Sequence, residues 1–385
     1  MKADVLVVGA SPAGIMAATH AALAGARVIL ADGDLDGEHP ANTLFEGMAR
    51  RVGMTVDRSL VRHSLKGMRI ISPAGHAVEI PAPGYFLDRR RMDQSLLRGA
   101  EKQGVELLEA RVQDLAWSGE SRLARADGDE IEARVVLDAA GVDSCLARSQ
   151  GLIPMRHPED VAWALEAEVE HPGLGEEPFF EYWIGSLAPG WKATFSPGGG
   201  DLATLGVFVR RQGRAVRPFF DRFRRRFQEH KSSAYPDIRG LKILRVRTGG
   251  DPIATVPGEL AARGLMVTGG AAGQSGLAYG MRAGQICGEV AGQAARDGDV
   301  SQQALSRYQK LWSKELGQEY RLARASMNTL LEMDDRDIDA LVEALRDKDL
   351  IAPGSLARKA LKASLTVAGA RPGVIPALIG NLLRG

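Results

Sequence analysis

The chain opens on a strand, a glycine turn and a helix, and few folds accept that beginning. The stretch Val5-Leu6-Val7-Val8-Gly9-Ala10-Ser11-Pro12-Ala13-Gly14 ends a short apolar run in two glycines with a serine and a proline between them. Val5 to Val8 read as a buried parallel strand. Gly9 permits a tight turn, and Pro12 suits a first helical turn, where its missing N–H costs little. Ile15 to Leu23 then give a helix that Gly25 stops. Arg27 to Leu30 form a second apolar strand, and Asp32 follows it. A carboxylate about 20 residues beyond a glycine turn is the dinucleotide-binding arrangement. The helix N-terminus, from Ser11, Pro12, Ala13 and Gly14, would hold a pyrophosphate, and Asp32 would accept a ribose hydroxyl. Ser11 stands where such motifs carry their middle glycine, so its Cβ narrows the approach to the phosphates. The motif alone does not separate a flavin dinucleotide from a nicotinamide one; no second G-x-G-x-x-G follows a strand.

The length, 385 residues, allows two or three packed units rather than one core. The net charge of +1 argues for neither a nucleic-acid nor an acidic partner. Two cysteines without a CxxC pair give no disulfide framework and no zinc site, which suits a reducing, cytoplasmic setting. No metal is expected, since HExxH and clustered His/Cys ligands are missing. Lys2 and Asp4 flank the first strand directly, unlike a signal peptide. No window offers the roughly 20 uninterrupted apolar residues of a membrane span; the best, Leu365 to Leu383, carries Arg371, Pro372 and Pro376.

Further along, Tyr85 to Leu107 begins extended and becomes a helix with Leu96, Leu97 and Ala100 on its apolar face, and strands around Asp127-Gly128 form a hairpin. Between Gly151 and Arg247, strand-like pieces alternate with Pro/Gly turns, which predicts a mainly antiparallel sheet. Gly264 to Gly292 reads as buried strand, glycine turn and small-residue helix, a second place where a helix N-terminus can approach a ligand. Leu305, Tyr308, Trp312 and Leu316 share one helical face, and Asp335 is the expected N-cap of a helix with Ile338, Leu341, Val342 and Leu345 as its stripe. Ser355 to Ala368 is amphipathic and basic. The fold class is therefore α/β (α+β overall): a doubly wound dinucleotide domain (1–62, 85–150, 248–300), a mainly antiparallel β-sheet substrate domain (63–84, 151–247) and a C-terminal helical region (301–385).

These landmarks fall in the order used by FAD-dependent reductases and hydroxylases of the p-hydroxybenzoate hydroxylase type, and the chain most resembles the geranylgeranyl reductase family within that group. The resemblance reaches to about residue 345 and rests on Gly9-x-Ser11-x-x-Gly14 with Asp32, Asp88-Arg89 with Met92-Asp93, Gly141-Val142-Asp143-Ser144, the run from His157 to Glu170, the glycine segment from Gly264 to Gly284, and the run from Ser306 to Arg321. It implies FAD, with the adenosine side on Gly9, Ser11, Gly14 and Asp32. Arg89 would sit near the phosphates, and the turn Gly269, Gly270, Ala271 and Gly273 near the ribityl chain. It implies saturation of isolated double bonds in an isoprenoid lipid, with electrons from NAD(P)H or a ferredoxin-like protein. The chain departs from the family pattern in five places. The stretch Gly37 to Gly47 lacks the cysteine that often follows the second strand, and the family's Tyr-x-Trp-x-Phe-Pro reads Trp191-Lys192-Ala193-Thr194-Phe195-Ser196. Gly269-Gly270 replaces Gly-Asp, Ala140-Gly141 replaces Asp-Gly, and the loop between Gln274 and Leu277 is shorter.

Such chemistry needs a hydride donor, a proton donor and a dry cavity. Tyr279, beside the second turn, is the candidate proton donor. Cys287 reads as a packing residue, and His39 and His63 as surface or satisfied histidines. Trp191 and Phe195 fall at strand spacing and are candidates to line a lipid site. The basic run Val209 to Lys231 reads as a solvated helix face or as a peripheral contact with anionic headgroups, with Phe219, Phe220 and Phe223 dipping inward. Two other functions fit the same scaffold. One is a flavin monooxygenase or electron-transfer dehydrogenase, marked by oxygen uptake on an aromatic substrate. The other is a non-catalytic binder of a lipid or partner, marked by the absence of bound flavin.

Overall fold

In the computed structural model, which describes residues 1–37 and 42–346, the opening motif folds as its spacing dictates. Strand Lys2–Val8, helix Pro12–Leu23 and strand Val28–Asp32 form a βαβ unit, with Asp32 ending the second strand. The two strands pair in parallel, with Val5 opposite Val28 and Val8 opposite Ala31. They sit inside a sheet whose parallel core runs Leu265–Val267, Asp129–Asp138, Lys2–Val8, Val28–Asp32 and Glu106–Glu109. Val5, Val7, Leu30, Val135 and Leu137 are all fully buried, as central parallel strands require. The hairpin around Asp127-Gly128 joins Ser121–Ala126 to Asp129–Asp138 on the antiparallel flank.

The helix Leu277–Asp297 lies against helix Pro12–Leu23 with its backbone almost touching. A Cβ placed on Gly284 would stand 2.0 Å from the carbonyl oxygen of Ala13. On Gly288 it would stand 2.0 Å from that of Ala17, and on Gly292 2.6 Å from that of Ala21. Two rows of small residues, each spaced by four, thus let the helices approach to backbone contact. Leu305, Tyr308, Trp312 and Leu316 are buried together, as their spacing predicts.

The second unit is a seven-stranded sheet in the order Lys242–Asp251, Ala162–Glu170, Leu202–Arg210, Lys192–Pro197, Phe179–Trp183, Gly67–Ile71, Ala77–Ile80. All neighbours run antiparallel except Phe179–Trp183 beside Gly67–Ile71. Helix Arg217–Lys231 covers one face, with Phe220, Phe223 and Phe227 buried against Trp183, Phe195 and Leu205. Phe220 and Phe223 are therefore core residues and do not dip into a membrane; the basic residues between them take the outer face. At the end of this helix Lys231 Nζ lies 2.7 Å from Glu181 Oε1 and 3.1 Å from Glu177 Oε1. A small sheet of Thr43–Phe45, Gly84–Leu87 and Val61–Leu65 belongs to the same unit. Helix Asp335–Leu345 buries Ile338, Leu341, Val342 and Leu345, and its N-cap is Asp334, which accepts from the Asp337 amide, one residue earlier than the sequence suggests.

The division between units differs from the sequence expectation. Residues 1–37, 88–158 and 252–320 form one unit; 42–87, 159–251 and 321–346 form the other. Residues 42–62 join the second because Thr43–Phe45 and Val61–Leu65 both pair with Gly84–Leu87. Residues 301–320 join the first because Leu305 and Tyr308 belong to its core. The segments Ser355–Ala368 and Leu365–Leu383, and His39, lie outside the described residues. No helix among the described residues is long and apolar enough to cross a membrane.

Candidate functional site

The carboxyl ends of the parallel strands open onto a crevice of about 270 Å³ in the first unit. Val8, Gly9 and Ser11 form one wall, Asp32 and Gly33 a second, Ala110, Arg111 and Val112 a third, and Ala139, Ala140 and Gly141 the last. Such a convergence of strand ends is where doubly wound sheets bind ligands.

Each part of the turn has a local cause. Gly9 has φ +106°, and a Cβ there would meet the Ala139 carbonyl oxygen at 2.5 Å. A Cβ on Gly14 would fall 1.9 Å from the Gly9 carbonyl oxygen. Both positions demand glycine. Ser11 is extended at φ −63° and caps the helix, its Oγ accepting from the Gly14 amide at 3.3 Å. The serine in place of a middle glycine is thus turned to capping. Pro12 has no N–H, and the Ser11 and Ala13 amides have no acceptor among the described residues. A helix N-terminus with two such amides fits an anionic group. Asp32 Oδ2 accepts from the Ala10 amide at 2.6 Å and Oδ1 from the Asp34 amide at 2.9 Å, which fixes the carboxylate at the rim.

The second glycine turn meets this helix. Gly269–Ala272 is a 3₁₀ turn, and a Cβ on Gly269 would lie 2.9 Å from Ala13 Cβ. Its hold is a buried network that sequence reading misses. Gln274 Oε1 accepts from the Gly269 amide at 2.8 Å, Gln274 Nε2 donates to Tyr308 Oη at 2.7 Å, and Tyr308 stands 3.1 Å from Thr268 Oγ1. Gly270 lies against the other departure from the family pattern: a Cβ on it would reach the Val142 amide nitrogen at 3.2 Å and Gly141 Cα at 3.3 Å. Ala271 is buried, and Gly273, at φ +73°, faces Thr255. Asp138, two residues before Ala140, is the acid that organises this loop. It is 1% exposed and accepts from Ser144 Oγ at 2.7 Å, the Ala147 amide at 3.1 Å and the Ala140 amide at 3.2 Å. Burial nevertheless raises its pKa.

The other predicted residues are spread more widely. Arg89 starts helix Arg89–Lys102, is nearly buried, and lies 3.1 Å from both carboxylate oxygens of Asp93. Tyr279 follows the second turn, half-buried, its ring 6.3 Å from that of Tyr320. Cys287 is fully buried and its thiol pKa is pushed up. His63 Nε2 is 2.9 Å from the Glu177 carbonyl oxygen, a satisfied histidine. Trp191 and Phe195 do not share a face, against the sequence spacing. The strand begins only at Lys192, so Trp191 sits in a bend, its Nε1 donating to Asp251 Oδ2 at 3.3 Å and its ring near Tyr182. Phe195 is completely buried against Phe227, on the face covered by the helix, and is a core residue.

This sheet and crevice define a doubly wound α/β scaffold of the dinucleotide-binding kind. The chain's fold is shared across its whole length by a geranylgeranyl bacteriochlorophyll reductase-like protein from Thermoplasma acidophilum (TM-score 0.85, 22% identity, 99% of both chains). A flavin-dependent brominase shares it at TM-score 0.69 and 16% identity, over 96% of this chain and 94% of its own. Residues 4–173 match the lycopene cyclase protein family. Digeranylgeranylglycerophospholipid reductase 1 of Methanothermobacter thermautotrophicus is 31% identical over 94% of this chain and 96% of its own length. Reductase 2 of that name from Methanopyrus kandleri is 28% identical over 91% and 92%. The chain belongs to the geranylgeranyl reductase family.

Proposed function

We propose that the protein is an FAD-dependent reductase that saturates isolated carbon–carbon double bonds of a geranylgeranyl-type isoprenoid lipid. The observation that carries this reading is the open crevice bounded by Gly9, Ser11 and Asp32 in a chain akin along its whole length to digeranylgeranylglycerophospholipid reductases. In this reading Asp32 accepts an adenosine ribose hydroxyl, and the Ser11 and Ala13 amides take the pyrophosphate. Arg89 lies toward the phosphates. The turn from Gly269 to Gly273 borders the ribityl chain, held in shape by Gln274 and Tyr308. When bound, reduced flavin supplies the hydride. Tyr279 gives the proton, Trp191 contributes to the lipid site, and electrons arrive from NAD(P)H or a ferredoxin-like protein. Peripheral membrane contact fits the basic outer face of helix Arg217–Lys231.

The test is to denature the purified protein and identify the released cofactor and lipid by mass spectrometry, then assay reduction of a geranylgeranyl lipid. FAD together with a partly saturated isoprenoid product supports the reading. Oxygen uptake with an aromatic substrate would favour a monooxygenase, and colourless protein that gains nothing from added FAD would favour a non-catalytic binder.

A further inference from the structure

Strand Lys242–Asp251 ends the seven-stranded sheet, with Ala162–Glu170 on its inner side. None of its ten residues is buried, and Leu244 and Val246 are 50% and 42% exposed. Among the described residues no strand lies along its outer side, and no backbone hydrogen bond beyond the sheet ladder reaches it. A long edge with exposed apolar side chains and open N–H and C=O groups is a template for another strand. Charge is the usual guard of such an edge. Here Arg245 and Arg247 stand in register with Glu168 and Glu166 of the neighbouring strand, so the arginines meet acids of their own sheet.

The strand is complementary to itself in one long register. Residues opposite each other in an antiparallel pair point to the same face. A two-fold axis keeps every residue on its own face, so the axis must pass where a residue meets its own copy. Centred on Val246, the pairing sets Arg245 against Arg247. Centred on Arg247, it sets two arginines together. Centred on Thr248, it sets Arg245 opposite Asp251 twice, Val246 opposite Gly250 and Arg247 opposite Gly249. A Cβ on Gly249 would meet nothing within 4 Å, which leaves room for the arginine stem. This register uses residues 245–251 and stops short of Leu244, where the strand bulges and its pairing shifts between Glu168 and Val169.

We propose, independently of the reductase reading, that the protein forms a homodimer in which two copies of strand Lys242–Asp251 pair antiparallel about Thr248. The two seven-stranded sheets then continue into one another. The open backbone groups of each edge are satisfied by the other, Val246 is covered, and the two Arg245–Asp251 pairs fix the register.

Sedimentation velocity of the full chain over a concentration series, with hydrogen exchange of residues 242–251 followed at each concentration, tests it. Wild-type protein should pass from monomer to dimer as it is concentrated, and exchange in this strand should slow by about tenfold or more in step. Arg245→Glu or Asp251→Arg, each alone, turns both pairs from attraction to repulsion and should raise the dimer dissociation constant about tenfold. Mixed in equal amounts, the two variants should recover the wild-type constant, because opposite charges face each other again at both ends. The exchange measurement needs no variant and stands even if one fails to fold. A chain that stays monomeric at every concentration overturns the proposal. So does a dimer in which exchange of 242–251 is unchanged, which would place the contact elsewhere, or a mixture that associates no better than the single variants. Full protection of the strand in the dilute monomer also overturns it, since a segment of the same chain would then occupy the edge.

Discussion

The Ala10 amide donates to Asp32 Oδ2 at 2.6 Å, so one carboxylate ties the glycine turn to the end of the second strand and also borders the crevice. Asp32→Ala removes the tie together with the ribose acceptor. FAD affinity should fall by about 1–3 kcal/mol, the usual cost of leaving a polar partner unmatched. Asp32→Asn keeps an oxygen for Ala10 and should lose less. Fluorescence titration of the apoprotein with FAD measures both, and equal affinity in all three proteins would place the adenosine elsewhere.

Gly288 and Ala17 face each other where the two helices of the first unit touch. Alanine is the better helix former by about 1 kcal/mol, so on propensity alone Gly288→Ala stabilises. Its Cβ, however, would stand 2.0 Å from the Ala17 carbonyl oxygen, and the helices would have to part. Overpacking costs about 1–3 kcal/mol, so the net effect should be a lower melting temperature. Calorimetry decides the sign, and a more stable variant would mean that the helices are not in backbone contact.

Local periodicity made part of this protein legible. The opening βαβ unit, the acid at its end and the buried stripe through Tyr308 and Trp312 all follow from spacing within one element. What spacing could not give was partnership between distant segments. Arg111 and Ala139 to Gly141 close the crevice because their strands pair beside Val28–Asp32 and Lys2–Val8. Doubly wound sheets place their ligand crevice at the carboxyl ends of the parallel strands, and that rule is the available signal. Trp191 and Phe195 misled because a bend precedes Lys192 and interrupts the alternation.

Tyr308 and Gln274 lie 2.7 Å apart in the buried network behind the second glycine turn. Tyr308→Phe keeps the ring and deletes the hydroxyl, leaving Gln274 Nε2 and Thr268 with one partner fewer. Stability should drop by about 1–3 kcal/mol. The freed Gln274 should also hold the Gly269 amide less firmly, which the visible circular dichroism of bound flavin would report as a changed signal. A variant with full stability and an unchanged flavin spectrum would mean that the network does not set the turn.

Asp138 gives a pH dependence of known sign. Burial outweighs its three hydrogen bonds and raises its pKa above the ordinary 3.8. The folded protein therefore holds this proton more tightly than the unfolded chain does. Its contribution to stability is complete below about 3.8 and is lost as pH rises through the folded-state pKa. Asp138→Asn cannot titrate and should lack that slope. With its amide oxygen in the place of Oδ2 it keeps the bonds from Ser144 and Ala147 and forfeits the one from Ala140, at a cost of about 1 kcal/mol. Urea unfolding across a pH series should therefore show wild-type stability falling toward the variant's as the pH climbs out of the acid range. Parallel curves for the two proteins would assign the slope to another group and leave Asp138 ionised in the fold.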